Sequence, residues 1–192
     1  MWAVGRADPA VGAVGPLIRT CPPHLVRLGD VLRIPAEMVE AIVAHARADH
    51  PDEACGIIAG PAGSNRPTRL VPMTNAERSP TFYRFDSGEQ LRLYKQLDAA
   101  DEEVVVVYHS HTATEASPSR TDISYAGEPQ AHYVLVSTRE TDSHEFRSFR
   151  IIDGVVTEEA VEIISAGPDV ASVSTREAGS HPVSAANDLV QS

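Results

Sequence analysis

The chain has 192 residues, of which 42% are hydrophobic, and its formal net charge at pH 7 is −11. This length and apolar content suit one domain with its own core, and no apolar run approaches the roughly 18 residues that a membrane-spanning helix needs. Because nucleic-acid phosphates bind clustered lysine and arginine side chains, so acidic a chain argues against a nucleic-acid partner.

Both ends of the chain lack the periodic apolar pattern of folded elements. Residues 1–30 mix prolines with glycines, and residues 165–192 are small, polar and aperiodic, so we predict that both ends are disordered. We expect translation to begin naturally at Val31, where the first recognisable segment starts. The N-terminal sequence carries no secretory signal, and Cys21 and Cys55 make no disulfide framework, which favours the cytoplasm.

The first half of the predicted domain, 31–164, contains one helix and several strands. From Pro35, a favoured first helical residue, apolar side chains recur on one face up to about His50, the pattern of an amphipathic helix. Short runs of strand-forming residues between turn residues then predict three strands, Ala54 to Ala59, Arg69 to Met73 and Thr81 to Phe85.

The second half begins with a further helix. Ser87 and Gln90 have the spacing of a capping box and predict a helix that ends near Ala100. The valine-rich run from Glu103 to Tyr108 predicts a strand buried on both faces. Beyond it we predict a short helix from Arg120 to Ala126, strands at His132 to Ser137 and Glu145 to Ile152, and a hairpin turn at Asp153-Gly154 into a last strand, Val155 to Ile164. The predicted fold class is α/β (α+β), a mixed β-sheet flanked by helices in a single domain.

Two histidines stand at the exit of the valine-rich strand with one residue between them. Residues i and i+2 of a strand project to the same face, so His109 and His111 can reach one metal ion. Ser119 is a natural helix N-cap, which places Asp122 in the first helical turn with its carboxylate directed back toward the strand. Two histidines and one carboxylate leave a fourth tetrahedral position open, the pattern of a catalytic zinc site.

Each of these residues also has an ordinary structural explanation. A lone His-x-His pair is common at strand ends, a first-turn aspartate stabilises the positive end of a helix, and a serine at this position is most often only a cap. The combined spacing of His109, His111, Ser119 and Asp122 makes one shared metal ion the better explanation.

A metal-dependent hydrolase also needs a base, and the best candidate is Glu53, just before the first predicted strand. Its carboxylate could accept a proton from the attacking water and return it to the leaving amine. By itself Glu53 would be a solvated loop acid, and only its place in the Glu-Ala-Cys-Gly context favours the catalytic role. The neighbouring Cys55 is predicted to be buried packing rather than a nucleophile. The other histidines considered lack ligand spacing, namely His45, His50, His132 and His144.

Together these residues resemble the JAMM/MPN+ metallopeptidases, whose pattern is an upstream glutamate, then His-x-His, seven residues, serine, two residues and aspartate. The match is complete at Glu53, His109, His111, Ser119 and Asp122. The resemblance runs over about 31–164. Within this range, four segments are similar to one bacterial branch of the family, the Mec-type peptidases of cysteine biosynthesis. They are PDEACG, SPTFYRFD, YHSHTATEASPSRTD and AHYVLVST.

The resemblance implies a JAMM/MPN-type, cytidine-deaminase-like fold, a Zn2+ cofactor and a carrier-protein substrate. Members of this branch hydrolyse the amide between a new cysteine and the C-terminal Gly-Gly of a ubiquitin-like sulfur-carrier protein. Carried over, His109, His111 and Asp122 would bind the zinc. Glu53 would activate the water, and the Ser119 hydroxyl would stabilise the oxyanion, so that one oxygen has both a capping and a catalytic task.

Substrate recognition and competing functions stay open at this point. A narrow groove would select a tail without side chains, and we suggest Phe82 to Phe85 as one wall. A peptidase that trims an extended carrier to expose Gly-Gly would use the same chemistry. A non-catalytic MPN scaffold would only bind partners, although such scaffolds generally lack this ligand set. A zinc nucleobase deaminase is disfavoured because its His-x-Glu and Pro-Cys-x-x-Cys elements are absent.

Overall fold

The computed structural model describes residues 31–165. Of the ends for which disorder is predicted, 1–30 and 165–192, all but residue 165 lie outside the described residues. Within the described part of the chain, no helix has both the length and the apolar character that a membrane crossing requires.

Three helices and eight strands make up the described residues. The helices are α1 (Ala36–Asp49), α2 (Ser87–Ala100) and α3 (Arg120–Tyr125). The first four strands are β1 (Leu32–Pro35), β2 (Cys55–Pro61), β3 (Arg69–Met73) and β4 (Glu102–His111). The last four are β5 (His132–Ser137), β6 (Glu145–Ile152), β7 (Val155–Glu159) and β8 (Val161–Ile164).

A six-stranded sheet of order β3-β2-β4-β5-β6-β7 forms the centre of the domain. β4 and β5 pair in parallel and every other neighbouring pair is antiparallel, which confirms the predicted mixed sheet. β1 and β8 form a separate two-stranded parallel sheet. β4 therefore lies between two strands, with its C-terminal end beside the end of β5.

Each face of the central sheet has its own hydrophobic cluster. On one face α1 packs its apolar stripe against the sheet and buries Val39, Ile42, Val43 and Ala46. On the opposite face α2 buries Leu93 and Leu97. β4 gives Val106 to the first cluster and Val107 to the second, so it is covered on both faces as predicted. Because side chains alternate along a strand, His109 and His111 share the face of Val107.

The predicted strand from Thr81 to Phe85 is wrong, because this segment is a loop in which one isolated bridge pairs Phe85 with Asn75. The Asn75 side chain takes the place of a strand partner. Its Nδ2 donates to the Phe82 carbonyl (3.1 Å), and its Oδ1 accepts from the Arg84 N–H (3.2 Å). A side chain that satisfies both backbone groups removes the need for a ladder.

Three predicted boundaries also differ from the structure. Pro35 ends β1 and caps α1 instead of opening the helix, because the short first strand pairs with β8. β4 continues past the predicted end to His111, so both histidines lie inside a strand rather than beyond it. The predicted last strand is broken at Ala160, since β7 pairs with β6 whereas β8 pairs with β1.

The predicted capping box at Ser87 and Gln90 is wrong by one residue. Asp86 is the N-cap of α2, and its carboxylate accepts the backbone N–H of Glu89 at 2.9 Å. Aspartate and serine are comparably good caps, so local sequence could not choose between neighbours. The predicted end of α2 at Ala100 is confirmed.

Candidate metal centre

His109 and His111 stand at the C-terminal end of β4, inside the domain rather than on its surface. Their exposed fractions are 1% and 6%. Both imidazoles project from the same face of the sheet, and their Nε2 atoms lie 3.2 Å apart. Two buried ring nitrogens this close together can bind the same ion.

Asp122 reaches the same point from α3. The Oγ of Ser119 accepts the N–H of Asp122 (3.2 Å), and the Oδ2 of Asp122 accepts the N–H of Ser119 (2.7 Å), which completes a capping box. The box fixes the carboxylate. Its Oδ1 lies 3.5 Å from the Nε2 of His109, and its Oδ2 lies 3.5 Å from the Nε2 of His111.

The three side chains fit one metal ion. Their ligand atoms all lie within 4.8 Å of one another, and among the described residues no other group of this kind is found. In a tetrahedral zinc site with bonds of about 2.0–2.1 Å, ligand atoms stand about 3.3 Å apart. The separations here, 3.2 and 3.5 Å, are close to that spacing. The structure thus brings together the three residues that the sequence selected as ligands.

Burial and mutual hydrogen bonding set the pKa values of the trio. Burial lowers the pKa of His109, which favours the neutral imidazole that metals bind. Burial alone would raise the pKa of Asp122, but hydrogen bonds with His109 and His111 hold it well below its ordinary value, so the carboxylate stays ionised. Burial also acts to lower the pKa of His111, yet bonding to Asp122 and to the Glu115 carbonyl raises it overall.

Glu53 leads into β2 and is only 4% exposed. Its neighbour Ala54 is joined to the strand of the histidines, because the Ala54 N–H donates to Ser110 Oγ (2.9 Å) and the Ser110 N–H donates to the Ala54 carbonyl (2.9 Å). Burial raises the pKa of Glu53 to about 7. The negative charge of Asp122 also raises this pKa, whereas the positive charge of His111 lowers it. A carboxylate with a pKa near neutrality can both accept and return a proton.

A pocket of about 290 Å³ is connected to the trio through one of its lining residues. Tyr83 lines it and also stacks on His109, with 4.4 Å between the ring centroids. The wall suggested from the sequence contributes Tyr83, Arg84 and Phe85, and the other lining residues include Tyr94 and Tyr125. Neither this pocket nor a larger one of about 540 Å³ is lined by His109, His111 or Asp122, and the smaller one is the candidate substrate site because Tyr83 in its wall contacts His109.

A family model described as prokaryotic homologs of the JAB domain matches residues 35–152. The chain belongs to this family. Among its JAB-domain relatives, a Mycobacterium tuberculosis protein named CysO-cysteine peptidase is 66% identical over 142 residues, which cover 73% of this chain and 97% of the relative. A desampylase from Haloferax volcanii is 29% identical over 131 residues, which cover 62% of this chain and 94% of that protein.

The JAB-domain architecture recurs in the solution structure of a Desulfitobacterium hafniense protein. That structure has a TM-score of 0.62 and 30% identity, and the match covers 70% of this chain and 93% of that one. The predicted JAMM/MPN-type fold and family are thereby confirmed. So is the prediction of an enzyme, since the chain is a hydrolase of the JAB-domain peptidase family.

Several residues of the JAB domain that the sequence analysis set aside have structural roles. Cys55 is completely buried, as expected for a packing residue, and burial raises the pKa of its thiol to about 12. His45 contacts the Tyr108 hydroxyl at 2.9 Å. His132 pairs with Glu159, away from the trio.

Sequence reasoning missed the support that three residues give to the metal centre, although it did suggest Tyr83 as part of a groove wall. Ser110 joins the strand of the histidines to the residue after Glu53. Asn75 donates from Nδ2 to the Glu53 carbonyl at 3.0 Å. Tyr83 stacks on His109. The position of Ser110 inside His-Ser-His was a visible signal, whereas Asn75 and Tyr83 meet partners distant along the chain and leave no local pattern.

Proposed function

We propose that this protein hydrolyses the amide bond between the C-terminal glycine of a ubiquitin-like sulfur-carrier protein and a cysteine, and so releases cysteine for biosynthesis. The observation that carries the proposal is the 66% identity, over 97% of the relative's length, to a protein named CysO-cysteine peptidase. Similarity at this level spans the whole catalytic domain, which supports a shared class of substrate as well as a shared fold.

His109, His111 and Asp122 are the proposed zinc ligands. Two ring nitrogens and one carboxylate oxygen form a donor set that suits zinc, and three protein ligands leave one coordination position open. Zinc bound there would supply a Lewis acid that polarises the scissile carbonyl and acidifies the attacking water.

Glu53 is the proposed general base. In the metal-free protein its carboxyl group has a pKa of about 7, and the pairing of Ala54 with Ser110 fixes the adjacent backbone beside the strand of the histidines. Glu53 takes a proton from the attacking water and gives it to the amine of the departing cysteine. The C–N bond breaks, the carrier leaves with a C-terminal carboxylate, and the cysteine leaves with its amine restored.

Ser119 is proposed to stabilise the oxyanion that develops on the carbonyl oxygen. Its Oγ accepts the N–H of Asp122, which uses a lone pair of the oxygen and leaves the hydroxyl hydrogen to donate. Ser119 is exposed, so a substrate can approach it. The capping and catalytic tasks are therefore compatible, because one uses the acceptor and the other uses the donor of the same hydroxyl.

The pocket beside Tyr83 is the proposed site for the Gly-Gly tail. Its volume of about 290 Å³ is small, and aromatic rings from Tyr83, Tyr94 and Tyr125 contribute to its lining. Flat aromatic walls pack closely on a main chain that carries no side chains, whereas a bulkier tail would need more room.

A cleavage assay tests the proposed reaction. The purified protein is incubated with a carrier–cysteine adduct, and the mass of the carrier is followed by mass spectrometry. We expect the carrier to lose one cysteine, the loss to stop when a chelator is added, and zinc to restore it. An adduct that stays intact in the presence of zinc-loaded protein would overturn the proposal.

A second substrate separates the proposed reaction from trimming of a precursor. The same carrier, extended by several residues beyond Gly-Gly, is incubated in parallel at equal concentration. We expect the cysteine adduct to be cleaved much faster than the extended carrier. The opposite preference would favour a peptidase that exposes Gly-Gly for activation.

A further inference from the structure

The two histidines of the trio are oriented by different means. A metal-binding histidine usually donates its second ring N–H to a fixed acceptor, which sets the plane of the ring. The Nδ1 of His111 lies 2.8 Å from the Glu115 carbonyl and 3.1 Å from the Thr114 hydroxyl. His111 therefore has the usual arrangement.

His109 departs from this arrangement. Its Nε2 faces His111 and Asp122, so Nδ1 is the nitrogen left for an orienting contact. This Nδ1 is buried and has no hydrogen-bond partner among the described residues. A ligand without that bond can turn about its side-chain torsion unless packing prevents it.

The ring of Tyr83 supplies such packing. It lies nearly parallel to the imidazole of His109, with 25° between the planes and 4.4 Å between the centroids. Tyr83 also contacts Phe85, whose ring centroid is 5.6 Å away in an edge-on geometry. Tyr83 thus contacts both a metal-ligand candidate and a second aromatic ring.

The backbone on both sides of Tyr83 is also fixed. Asn75 bonds to the carbonyl of Phe82 before it and to the N–H of Arg84 after it. The same Asn75 amide donates to the carbonyl of Glu53. One buried side chain therefore sets the position of the Tyr83 loop relative to the candidate base.

We propose that Tyr83 is a positioning residue of the metal centre, whose stacked ring holds the His109 imidazole toward the ion in place of the hydrogen bond that Nδ1 lacks. This inference rests on the proposed metal site. It does not depend on the identity of the substrate. Because stacking needs the ring and not the hydroxyl, Tyr83→Phe should preserve the effect and Tyr83→Leu should remove it.

Zinc affinity measured by chelator competition, without substrate, tests the proposal. Loss of an orienting partner typically weakens metal binding by about 10–100-fold, so we expect Tyr83→Leu to raise the dissociation constant at least about 10-fold and Tyr83→Phe to change it less than about 3-fold. Tyr94→Leu is the matched control, because Tyr94 lines the same pocket but bonds to Glu128 instead of packing on a histidine. It should bind zinc as the wild type does.

Nuclear magnetic resonance gives a second test. A ring stacked on His109 should shift its carbon-bound imidazole protons upfield, and this shift should persist in Tyr83→Phe. Equal zinc affinities for Tyr83→Leu and Tyr83→Phe, or the absence of the upfield shift, would overturn the proposal. If the protein binds zinc but leaves the carrier–cysteine adduct intact, only the proposed reaction fails.

Discussion

The Glu53 side chain is buried, and the ionised carboxylate of Asp122 acts on it. We predict that Glu53→Gln lowers turnover of the carrier–cysteine adduct by at least about 100-fold, because an amide cannot accept the proton of the attacking water. The zinc content should stay at the wild-type level. Asp52→Asn, which removes the adjacent carboxylate, serves as the control, and an undiminished rate for Glu53→Gln would show that the base lies elsewhere.

The same side chain should make the metal-free protein sensitive to pH. The pKa of Glu53 rises from 4.5 to about 7 on folding, so between these values the folded protein holds a proton that the unfolded chain has lost. The free energy of unfolding therefore falls as the pH rises through this window. At pH 8 we expect the free energy of unfolding of Glu53→Gln to be about 2 kcal/mol higher than that of the wild type. Near pH 4 the two proteins should be equally stable. Urea denaturation at both pH values, with chelator present, measures the difference.

Ser119 combines a structural and a proposed catalytic role, and two substitutions separate them. Ser119→Ala removes the cap and should lower the free energy of unfolding by about 1 kcal/mol. It should also weaken zinc binding, because the capping box orients Asp122. Ser119→Asp can accept the Asp122 N–H but has no hydrogen for an oxyanion. We expect it to recover stability while turnover stays low. Wild-type turnover in Ser119→Asp would rule out the oxyanion role.

At the scale of elements, the end of β4 is held by close contact with β2. Gly56 lies opposite Tyr108 in the ladder, and a Cβ at Gly56 would stand 2.5 Å from the Cε1 and Cζ atoms of that buried ring. Tyr108 immediately precedes His109 and bonds through its hydroxyl to His45 of α1. The contact therefore joins the metal strand, its neighbour and a helix.

We predict that Gly56→Ala destabilises the protein by about 1–3 kcal/mol, because the added methyl group overpacks a ring that cannot move aside. Zinc affinity should fall as well, since displacement of Tyr108 moves the adjoining ligand. Gly127→Ala is the control, because the nearest atom to its new Cβ is 3.9 Å away. Thermal unfolding and chelator competition give the two readings, and equal stability of both variants would contradict the prediction.

At the scale of the whole molecule, one ion would join elements that the chain separates. His109 and His111 belong to the central sheet, whereas Asp122 belongs to α3, which buries no residue fully. An ion bound by both should stabilise the folded state by about 2.7 kcal/mol when its free concentration is 100 times the dissociation constant. A short helix with little packing of its own gains most from such a link.

We therefore expect zinc to raise the unfolding midpoint of the metal-free protein by roughly 5–10 °C under those conditions. His111→Ala should lose this increase, because two remaining ligands bind zinc weakly. His144→Ala, a histidine outside the trio, should keep it. Differential scanning calorimetry with and without zinc measures the change, and an equal increase in all three proteins would place the metal at another site.

The sequence by itself determined the local parts of this protein. A buried strand ending in His109 and His111, and a capped helix carrying Asp122, follow from strand alternation and cap chemistry within a short stretch of chain. The family pattern added Glu53. Some failures were also local, since an equally good neighbouring cap moved the start of α2 and a run of strand-forming residues gave a false strand at 81–85.

Only the tertiary structure decided which distant parts meet. β1 pairs with β8 from the far end of the domain, Ser110 bonds to Ala54, and Asn75 fixes the loop that lays Tyr83 on His109. No periodic pattern encodes such pairs, because each contact depends on how whole elements pack and not on the residues beside it in the chain. The sequence was enough to identify the candidate ligands, whereas their orientation is set by contacts that form only in the folded protein.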